Sequence, residues 1–291
     1  MKVAVTGSNG LVGKMLLQEL KAKGFEVLEC NRKNCDILNP AKLNITLKAD
    51  VVIHCAAQLD EEAKNLFEVN VKGTENVLET CAKNKVQQFI FLSSVGVYGN
   101  SKGIKTEKSK PSPETLYEKS KLEAEKKVLD YQEVIPITIL RPAIILGNNF
   151  YWKKIIANIK KGYPLIGSGK NKWQMVHVKD VVSAIVHCTG NEDCYGEIFN
   201  VAEEKGMTLE EIVNTIRKET GIKGDIMKVP VFIGTILAYI NSAVKIIPML
   251  TPDYLNRMLR ERNYSIDKIR ATGWNPKINN KEELKKLAKI M

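Results

Sequence analysis

Tyr117 and Lys121 stand four residues apart in the run Tyr117-Glu118-Lys119-Ser120-Lys121, a spacing that puts two side chains on one face of a helix. A phenol has an ordinary pKa of about 10 and is a poor base at neutral pH, but a neighbouring ammonium and the positive ring of a bound cofactor favour the phenolate. Such a pair can pass a proton to or from a substrate hydroxyl. The same spacing also describes a solvated lysine beside a half-buried tyrosine, so the surrounding elements must decide between the two.

A second chemistry-bearing stretch lies at the start of the chain. The apolar run Val3-Ala4-Val5 leads into Thr6-Gly7-Ser8-Asn9-Gly10-Leu11-Val12-Gly13 and then into a helical pattern. Glycines fall where a backbone must turn sharply, approach a phosphate and pack helix on strand, so a dinucleotide pyrophosphate is expected at that helix N-terminus. Gly7, Asn9, Gly10, Leu11 and Val12 are the candidate contacts. At the tip of the next apolar run, where an acid would grip a ribose 2′-hydroxyl, the chain reads Asn31-Arg32-Lys33. A neutral residue followed by two cations suits a 2′-phosphate, so the lean is to NADP over NAD, with Asn31 and Arg32 as contacts. The alternatives are that Arg32 and Lys33 are solvated loop charges, or that Glu29 reaches the ribose.

Short β-branched runs at Val3–Val5, Val27–Cys30, Val51–His54, Phe89–Leu92, Ile137–Leu140 and Ile198–Val201 alternate with helical patterns at Gly10–Lys23, Glu61–Lys83, Pro113–Tyr131 and Asp180–Thr189. This alternation predicts parallel strands with crossover helices on both faces, an α/β Rossmann doubly wound sheet. After Ile145 the pattern changes to a Lys-rich helix at Tyr151–Lys161, a Gly-rich loop at Gly162–Gly169, and helices at Thr208–Thr220 and Val231–Ile246. The expected division is a dinucleotide-binding domain over 1–149, completed by about 175–205, and a smaller, discontinuous C-terminal substrate lobe over 150–174 and 206–291. No flexible linker separates them, which predicts two lobes packed around a cleft.

A chain of 291 residues with 44% hydrophobic content supports a sizeable core. Its net charge of +11 points weakly to an anionic ligand; many lysines alternate with glutamates, as on solvated helix faces. The six cysteines (Cys30, Cys35, Cys55, Cys81, Cys188, Cys194) form no Cys-x-x-Cys and no disulfide framework, and no leader precedes the first strand, so a reducing, cytoplasmic setting is expected. No Cys/His cluster has metal-ligand spacing, and no metal is expected. The longest charge-free apolar stretch, Val229–Val244, is shorter than the roughly 20 residues of a membrane span. It reads as a buried or substrate-facing helix, with membrane-surface contact a minor alternative. Aromatic content of 7%, without an aromatic-basic stacking motif, argues against nucleic acid.

These motifs together resemble the extended short-chain dehydrogenase/reductase family, in its NAD-dependent epimerase/dehydratase group, over nearly the whole chain. The matches run in order: Thr6 to Gly13; Asp36-Ile37, the adenine-contacting acid and aliphatic pair; His54-Cys55-Ala56-Ala57; Asn70-Val71-Lys72-Gly73-Thr74; Ser93-Ser94-Val95-Gly96-Val97-Tyr98-Gly99; Tyr117 with Lys121; and Arg141-Pro142. The resemblance implies that Ser94 hydrogen-bonds the substrate oxygen, Tyr117 is the general acid/base, and Lys121 holds the nicotinamide ribose and lowers the tyrosine pKa. It adds Asp36, Ile37, Cys55, Ala56, Ala57 and Asn70, with Tyr117 and Lys121 themselves, to the cofactor contacts. Asn70 either supports its helix or joins a proton relay. Tyr98 is a candidate for the nicotinamide side of the cleft, and His54 is read as structural.

Two positions depart from the nucleotide-sugar members. Arg141-Pro142-Ala143-Ile144 stands where many carry an Asn, and Trp173 stands where an Arg is frequent. Against this, Phe150–Lys172 holds Lys153, Lys154, Lys160, Lys161, Lys170 and Lys172 without one acid, a charge pattern that suits a diphosphate. The expected activity is an NAD(P)-dependent epimerase, dehydratase or reductase acting on a nucleotide sugar by hydride transfer at a C–O centre, on a small anionic substrate. The alternative is a dehydrogenase/reductase of a hydrophobic alcohol or ketone, hydroxysteroid- or dihydroflavonol-like; behind it stands a non-catalytic dinucleotide-sensing or RNA-binding protein. By analogy, a homodimer is expected through the helices at Glu61–Lys83 and Pro113–Tyr131.

Overall fold

Six runs rich in β-branched residues build one parallel sheet. They are β1 (Lys2–Thr6), β2 (Glu26–Cys30), β3 (Val51–His54), β4 (Gln88–Leu92), β5 (Ile137–Pro142) and β6 (Glu197–Val201), hydrogen-bonded in the order β6-β5-β4-β3-β1-β2. The computed structural model describes residues 1–244 and 250–291, with the backbone alone for 44–46. Alternate strand residues serve opposite faces. Val3, Val5, Val51, Ile53 and Ile90 pack with the helices Leu11–Ala22 and Val178–Cys188, through Leu16, Leu20 and Ile185. Ala4, Val52, Phe89, Phe91 and Ile139 pack with the helices Gly73–Lys83 and Leu116–Leu129, through Val77, Leu78, Ala124 and Val128. The result is the doubly wound, Rossmann-like fold the alternation predicts.

From β1 the chain moves outward to β2, then crosses back over β1 to β3. That reversal leaves a crevice beyond the carboxyl ends of β1 and β3, the place where open α/β sheets bind ligands. Residues from before and after β6 join in a separate core: Trp152, Ile156, Leu165 and Trp173 pack with Ile212, Ile216 and Leu284. Farther along, Tyr264, Ile266 and Trp274 return to the core beneath the sheet.

Three segments differ from the expected elements for local reasons. The helix expected from Glu61 is preceded by a turn, in which Asp60 Oδ1 accepts from the Glu62 amide at 3.1 Å; a wide π turn, Glu68–Lys72, then leads into Gly73–Lys83. The helix expected from Pro113 starts at Leu116, because Thr115 and Glu118 form a capping box there. The apolar helix runs over Val231–Val244, and its expected end at Ile246 lies outside the described residues. It is not buried all round: Gly234, Ala238 and Asn241 face the protein, while Phe232, Ile236, Tyr239 and Ile240 are each more than half exposed. Close docking fixes this orientation, since a Cβ at Gly234 would stand 2.4 Å from Ile166 Cγ2, so no side chain fits at that position.

Candidate active site

The glycine loop lies at the crevice between β1 and β3. Gly7 has φ +69°, and a Cβ there would lie 2.7 Å from the Ala56 nitrogen; a Cβ at Gly13 would lie 2.3 Å from the Gly7 carbonyl oxygen. Both positions must be glycine for loop, helix and β3 to meet. The helix Leu11–Ala22 starts at Gly10 with no side-chain cap and no acid in its first turn, so its first amides are free for an anion. Ser8 Oγ is buried there without a partner. The uncapped helix, the glycine cradle and the orphaned hydroxyl fit a dinucleotide diphosphate. Asn9 and Gly10 are exposed, Leu11 is half-buried, and Val12 points into the core, so Val12 can offer the ligand its amide only.

Asn31 and Arg32 follow directly on β2, whose last residue is Cys30. Asn31 Oδ1 accepts from the Lys33 amide at 3.0 Å, and Asn34 Oδ1 accepts from the Asn31 amide at 2.8 Å, which shapes the tip. Arg32 and Lys33 are exposed and have no ion-pair partner among the described residues. Glu29 is taken by Lys21, 2.8 Å away on the neighbouring helix, and does not form the tip. Asp36 is half-buried and accepts from the Leu38 amide at 3.0 Å; buried Ile37 meets Gly73, where a Cβ would stand 2.6 Å from its Cδ1. Cys55, Ala56 and Ala57 continue from β3, half-exposed, across from Gly7.

The helix Leu116–Leu129 brings Tyr117, Lys121 and Glu125 to one face at four-residue intervals. Lys121 is only 2% exposed; its ammonium donates to the Leu92 carbonyl at 2.7 Å and lies 4.2 Å from the centre of the Phe91 ring. Burial lowers its pKa to about 8, against the opposing pull of Glu125 and the Cys55 thiol. Tyr117, one turn earlier on the same helix, is half-buried. Its pKa is pushed up to about 12 by burial first, then by the charges of Glu118 and Glu61, opposite to the direction the lysine alone would give. Ser94, two residues past Leu92, accepts from the Gly96 amide at 3.0 Å and keeps its own proton to donate.

Two chains of hydrogen bonds hold this helix in place. In the first, Thr74 Oγ1 donates to the Asn70 carbonyl at 2.6 Å, so it accepts from His54 Nε2 at 3.1 Å, and His54 Nδ1 accepts from Thr6 Oγ1 at 2.7 Å. His54 is fully buried between Phe89 and Phe91, and burial lowers its pKa to about 3, so it is a neutral link, not an acid/base group. Asn70, in the π turn, donates to the Gln58 carbonyl at 3.0 Å and to Ser120 Oγ at 2.9 Å, and Ser120 Oγ donates to the Tyr117 carbonyl at 2.8 Å. The second chain is fully buried. Ser93 Oγ donates to Glu125 at 2.5 Å, Arg141 grips Glu125 through Nε at 2.9 Å and Nη2 at 2.5 Å, and Arg141 Nη1 donates to the Tyr98 hydroxyl at 2.8 Å. The Tyr98 hydroxyl in turn donates a hydrogen bond to Asn200 Oδ1 at 2.8 Å. Tyr98 is thus a core residue and does not line the cleft, a correction to its place in the sequence reading.

Several residues near the site escaped sequence reasoning. The two carboxylates that act on Tyr117 are held by arginines: Glu118 by Arg260 at 2.5 Å, and Glu61 by Arg257 at 3.2 Å. The Nε atoms of both arginines are buried without a partner. Arg262 lies over the Trp173 ring at 4.3 Å, so a guanidinium reaches that position from a distant part of the chain. Glu118 could have been found from the capping-box pattern Thr115-x-x-Glu118. The arginines are paired across more than 140 residues in one case, a separation no local pattern encodes.

Residues 3–202 match the NAD dependent epimerase/dehydratase family. The chain belongs to that family. Family membership makes it a nicotinamide-dependent enzyme, and the glycine cradle and the Tyr117 helix lie inside the matched region. The chain is 30% identical over 244 residues to UDP-glucose 4-epimerase of Vibrio cholerae, covering 74% of each. It is 28% identical over 260 residues, 81% of this chain and 78% of the relative, to N-acetyl-alpha-D-glucosaminyl-diphospho-ditrans,octacis-undecaprenol 4-epimerase of Escherichia coli O157:H7. It shares the fold of UDP-glucose 4-epimerase from Thermotoga maritima, solved with UDP-glucose, at a TM-score of 0.77 and 22% identity over 98% of this chain and 96% of that one.

Proposed function

We propose that this family member moves hydride at a C–O carbon of a nucleotide sugar, giving epimerisation, dehydration or net reduction. The observation that carries the reading is the buried Lys121 ammonium, bonded to the Leu92 carbonyl at the end of the strand that leads to Ser94 and carried one turn after Tyr117 on the same helix. Burying a cation costs stability, and a buried lysine with a strongly lowered pKa, on the helix that carries Tyr117, is the kind of group that marks an active site. When bound, the nicotinamide supplies the hydride donor and acceptor. Gly7, Asn9, Gly10, Leu11 and Val12 would hold its diphosphate, Asp36 and Ile37 its adenine, and Cys55, Ala56, Ala57 and Asn70 would form the walls of the crevice.

Ser94 donates a hydrogen bond to the reacting substrate oxygen, and Tyr117 gives or takes the proton on it. With a pKa near 12 in the free chain, Tyr117 rests as the phenol and is first a proton donor. To act as a base it depends on the positive charge at Lys121 and on whatever displaces or neutralises Glu61 and Glu118. Arg257 and Arg260, with their unpartnered Nε atoms, are the cations placed to exchange those carboxylates for a substrate diphosphate. The curated relatives named for diphosphate-linked sugars support the same substrate chemistry.

The tip Asn31-Arg32-Lys33 supports NADP over NAD, a homodimer through the Tyr117 helix remains the proposed assembly, and the division into a dinucleotide-binding domain and a substrate lobe is part of the same proposal. A second reading has its own support. An apolar cavity of about 180 Å³ extends from Leu237 to Tyr254 and Met258, on the helix that carries Arg257, and would accept the chain of a lipid-linked sugar diphosphate. The test is to incubate the protein with NAD or NADP and a panel of nucleotide sugars, lipid-linked sugar diphosphates, steroids and simple ketones, following nicotinamide absorbance together with product masses. Turnover of steroids or ketones alone would overturn the sugar assignment.

A further inference from the structure

The helix Val231–Val244 is turned inside out relative to a helix held by its apolar face. Its 14 residues carry no charge, its small residues Gly234, Ala238 and Asn241 face the protein, and its bulky residues face outward. Phe232 is 66% exposed, Ile236 55%, Tyr239 65% and Ile240 56%, and their spacing of four, three and one places them on a single stripe. Phe150 and Met227, at neighbouring segment ends, are also exposed, at 78% and 63%. An exposed apolar stripe of this kind marks an interaction site.

What flanks the patch selects the partner. The helix Phe150–Lys160 opens on the same cavity as the patch-bearing helix, Ile155 and Ile159 lining it together with Leu237. Lys153, Lys154, Lys160 and Lys161 are exposed on and just beyond that helix and have no ion-pair partner among the described residues, whereas many lysines elsewhere are paired with glutamates. An occupant must therefore offer an apolar layer bordered by anionic groups. A second copy meeting this face by two-fold symmetry would bring the same lysines back toward each other, at an electrostatic cost. At 1.5 Å per residue the 14 described residues of the helix cover about 21 Å. Among the described residues no helix is long and apolar enough to span a membrane.

We propose that this face docks on an anionic lipid bilayer, with Phe232, Ile236, Tyr239 and Ile240 in the acyl boundary and the four lysines on the headgroup phosphates. The arrangement follows the physics of interfacial helices, in which apolar burial and attraction to anionic lipid act together. It does not depend on which sugar the enzyme turns over.

The full chain is sedimented with vesicles of phosphatidylcholine alone and of phosphatidylcholine containing one third phosphatidylglycerol. The expected result is binding to the anionic vesicles, weakened by salt, and roughly tenfold weaker for Ile236→Asp/Ile240→Asp and for Lys160→Glu/Lys161→Glu. The apolar-face variant should retain its thermal melt and its turnover of a water-soluble nucleotide sugar. Absence of vesicle binding by the unaltered protein overturns the proposal, as does binding that both variants preserve. A solution mass that falls from dimer to monomer in Ile236→Asp/Ile240→Asp, without vesicle binding by the unaltered protein, would assign the face to a second copy instead. Because sedimentation is read without catalysis, loss of the nucleotide-sugar assignment leaves this test intact.

Discussion

In β3 and β5 every residue is buried, and the side chains that leave the sheet toward the site are fixed by partners on at least two sides; the helix Val231–Val244 keeps only Gly234, Ala238 and Asn241 inside and turns its bulk outward. The first arrangement spends apolar surface on precision. Lys121 has one carbonyl and one ring to sit against, Glu125 has Arg141 and Ser93, and Asn70 joins the Gln58 loop to the Tyr117 helix. The second arrangement leaves apolar surface unspent. A proton-transfer site needs side chains held to within a fraction of an ångström, while a surface that meets a lipid layer needs only to be apolar and in the right place.

The largest expected effect lies in the precise half. Tyr117→Phe removes the transferable proton and should lower turnover by about 10²–10⁴-fold, while cofactor affinity, measured by titration, stays within about threefold. Next comes a matched pair of truncations. Ile139→Ala, in the buried sheet, should lower stability by about 2–5 kcal/mol, whereas Ile240→Ala, more than half exposed, should change it by no more than about 0.5 kcal/mol. Denaturant melts of the two would break the comparison if the costs proved equal. Glu125→Ala belongs with the first of these, because an unpaired Arg141 inside the protein costs about 3–5 kcal/mol.

Lys121 gives a smaller, pH-dependent effect. Burial holds its pKa at about 8 in the folded chain against 10.5 for the free side chain, so between those values the unfolded chain binds a proton the folded one does not. The contribution of this group to stability therefore rises with pH across that window, by an amount on the order of 3 kcal/mol at most. Relative to Lys121→Met, the unaltered protein should gain in melting temperature from pH 8 to pH 10, with the variant at least as stable at pH 7 and inactive. A constant gap across that range would mean that the amine is not desolvated. The smallest effect concerns the cofactor tip, where Arg32→Ser should shift the ratio of NADP to NAD affinity by roughly tenfold toward NAD, the worth of one exposed phosphate contact.

The comparison also marks where sequence reading succeeds. The sheet, its crossover helices, the glycine loop and the Tyr117–Lys121 helix were legible because each is encoded within a few residues: a β-branched run, glycines at fixed offsets, a four-residue spacing. The misplacement of Tyr98 had a different origin. A tyrosine beside a glycine turn reads the same whether its hydroxyl meets a ligand or, as here, Arg141 and Asn200, and Asn200 lies 102 residues away. The raised pKa of Tyr117 was hidden because its first cause, burial, belongs to the folded chain, and because Glu61, which adds to the effect of the adjacent Glu118, reaches it only through the fold. For the apolar helix, composition left burial, a substrate-facing place and membrane-surface contact open together, and only the close approach of Gly234 to Ile166 reveals which face is turned in.

The most direct test of the central claim follows a hydrogen atom. The protein, loaded with oxidised dinucleotide, is mixed with nucleotide sugars carrying deuterium on the carbon bearing the reacting hydroxyl, and the dinucleotide and sugar are then separated and weighed by mass spectrometry. The account predicts, for at least one sugar with the unaltered protein, deuterium held on the nicotinamide or returned by it to a carbon of the product, and no labelled product above background with Tyr117→Phe. Product whose deuterium has been exchanged for solvent hydrogen, or equal turnover by the Tyr117→Phe variant, would contradict it.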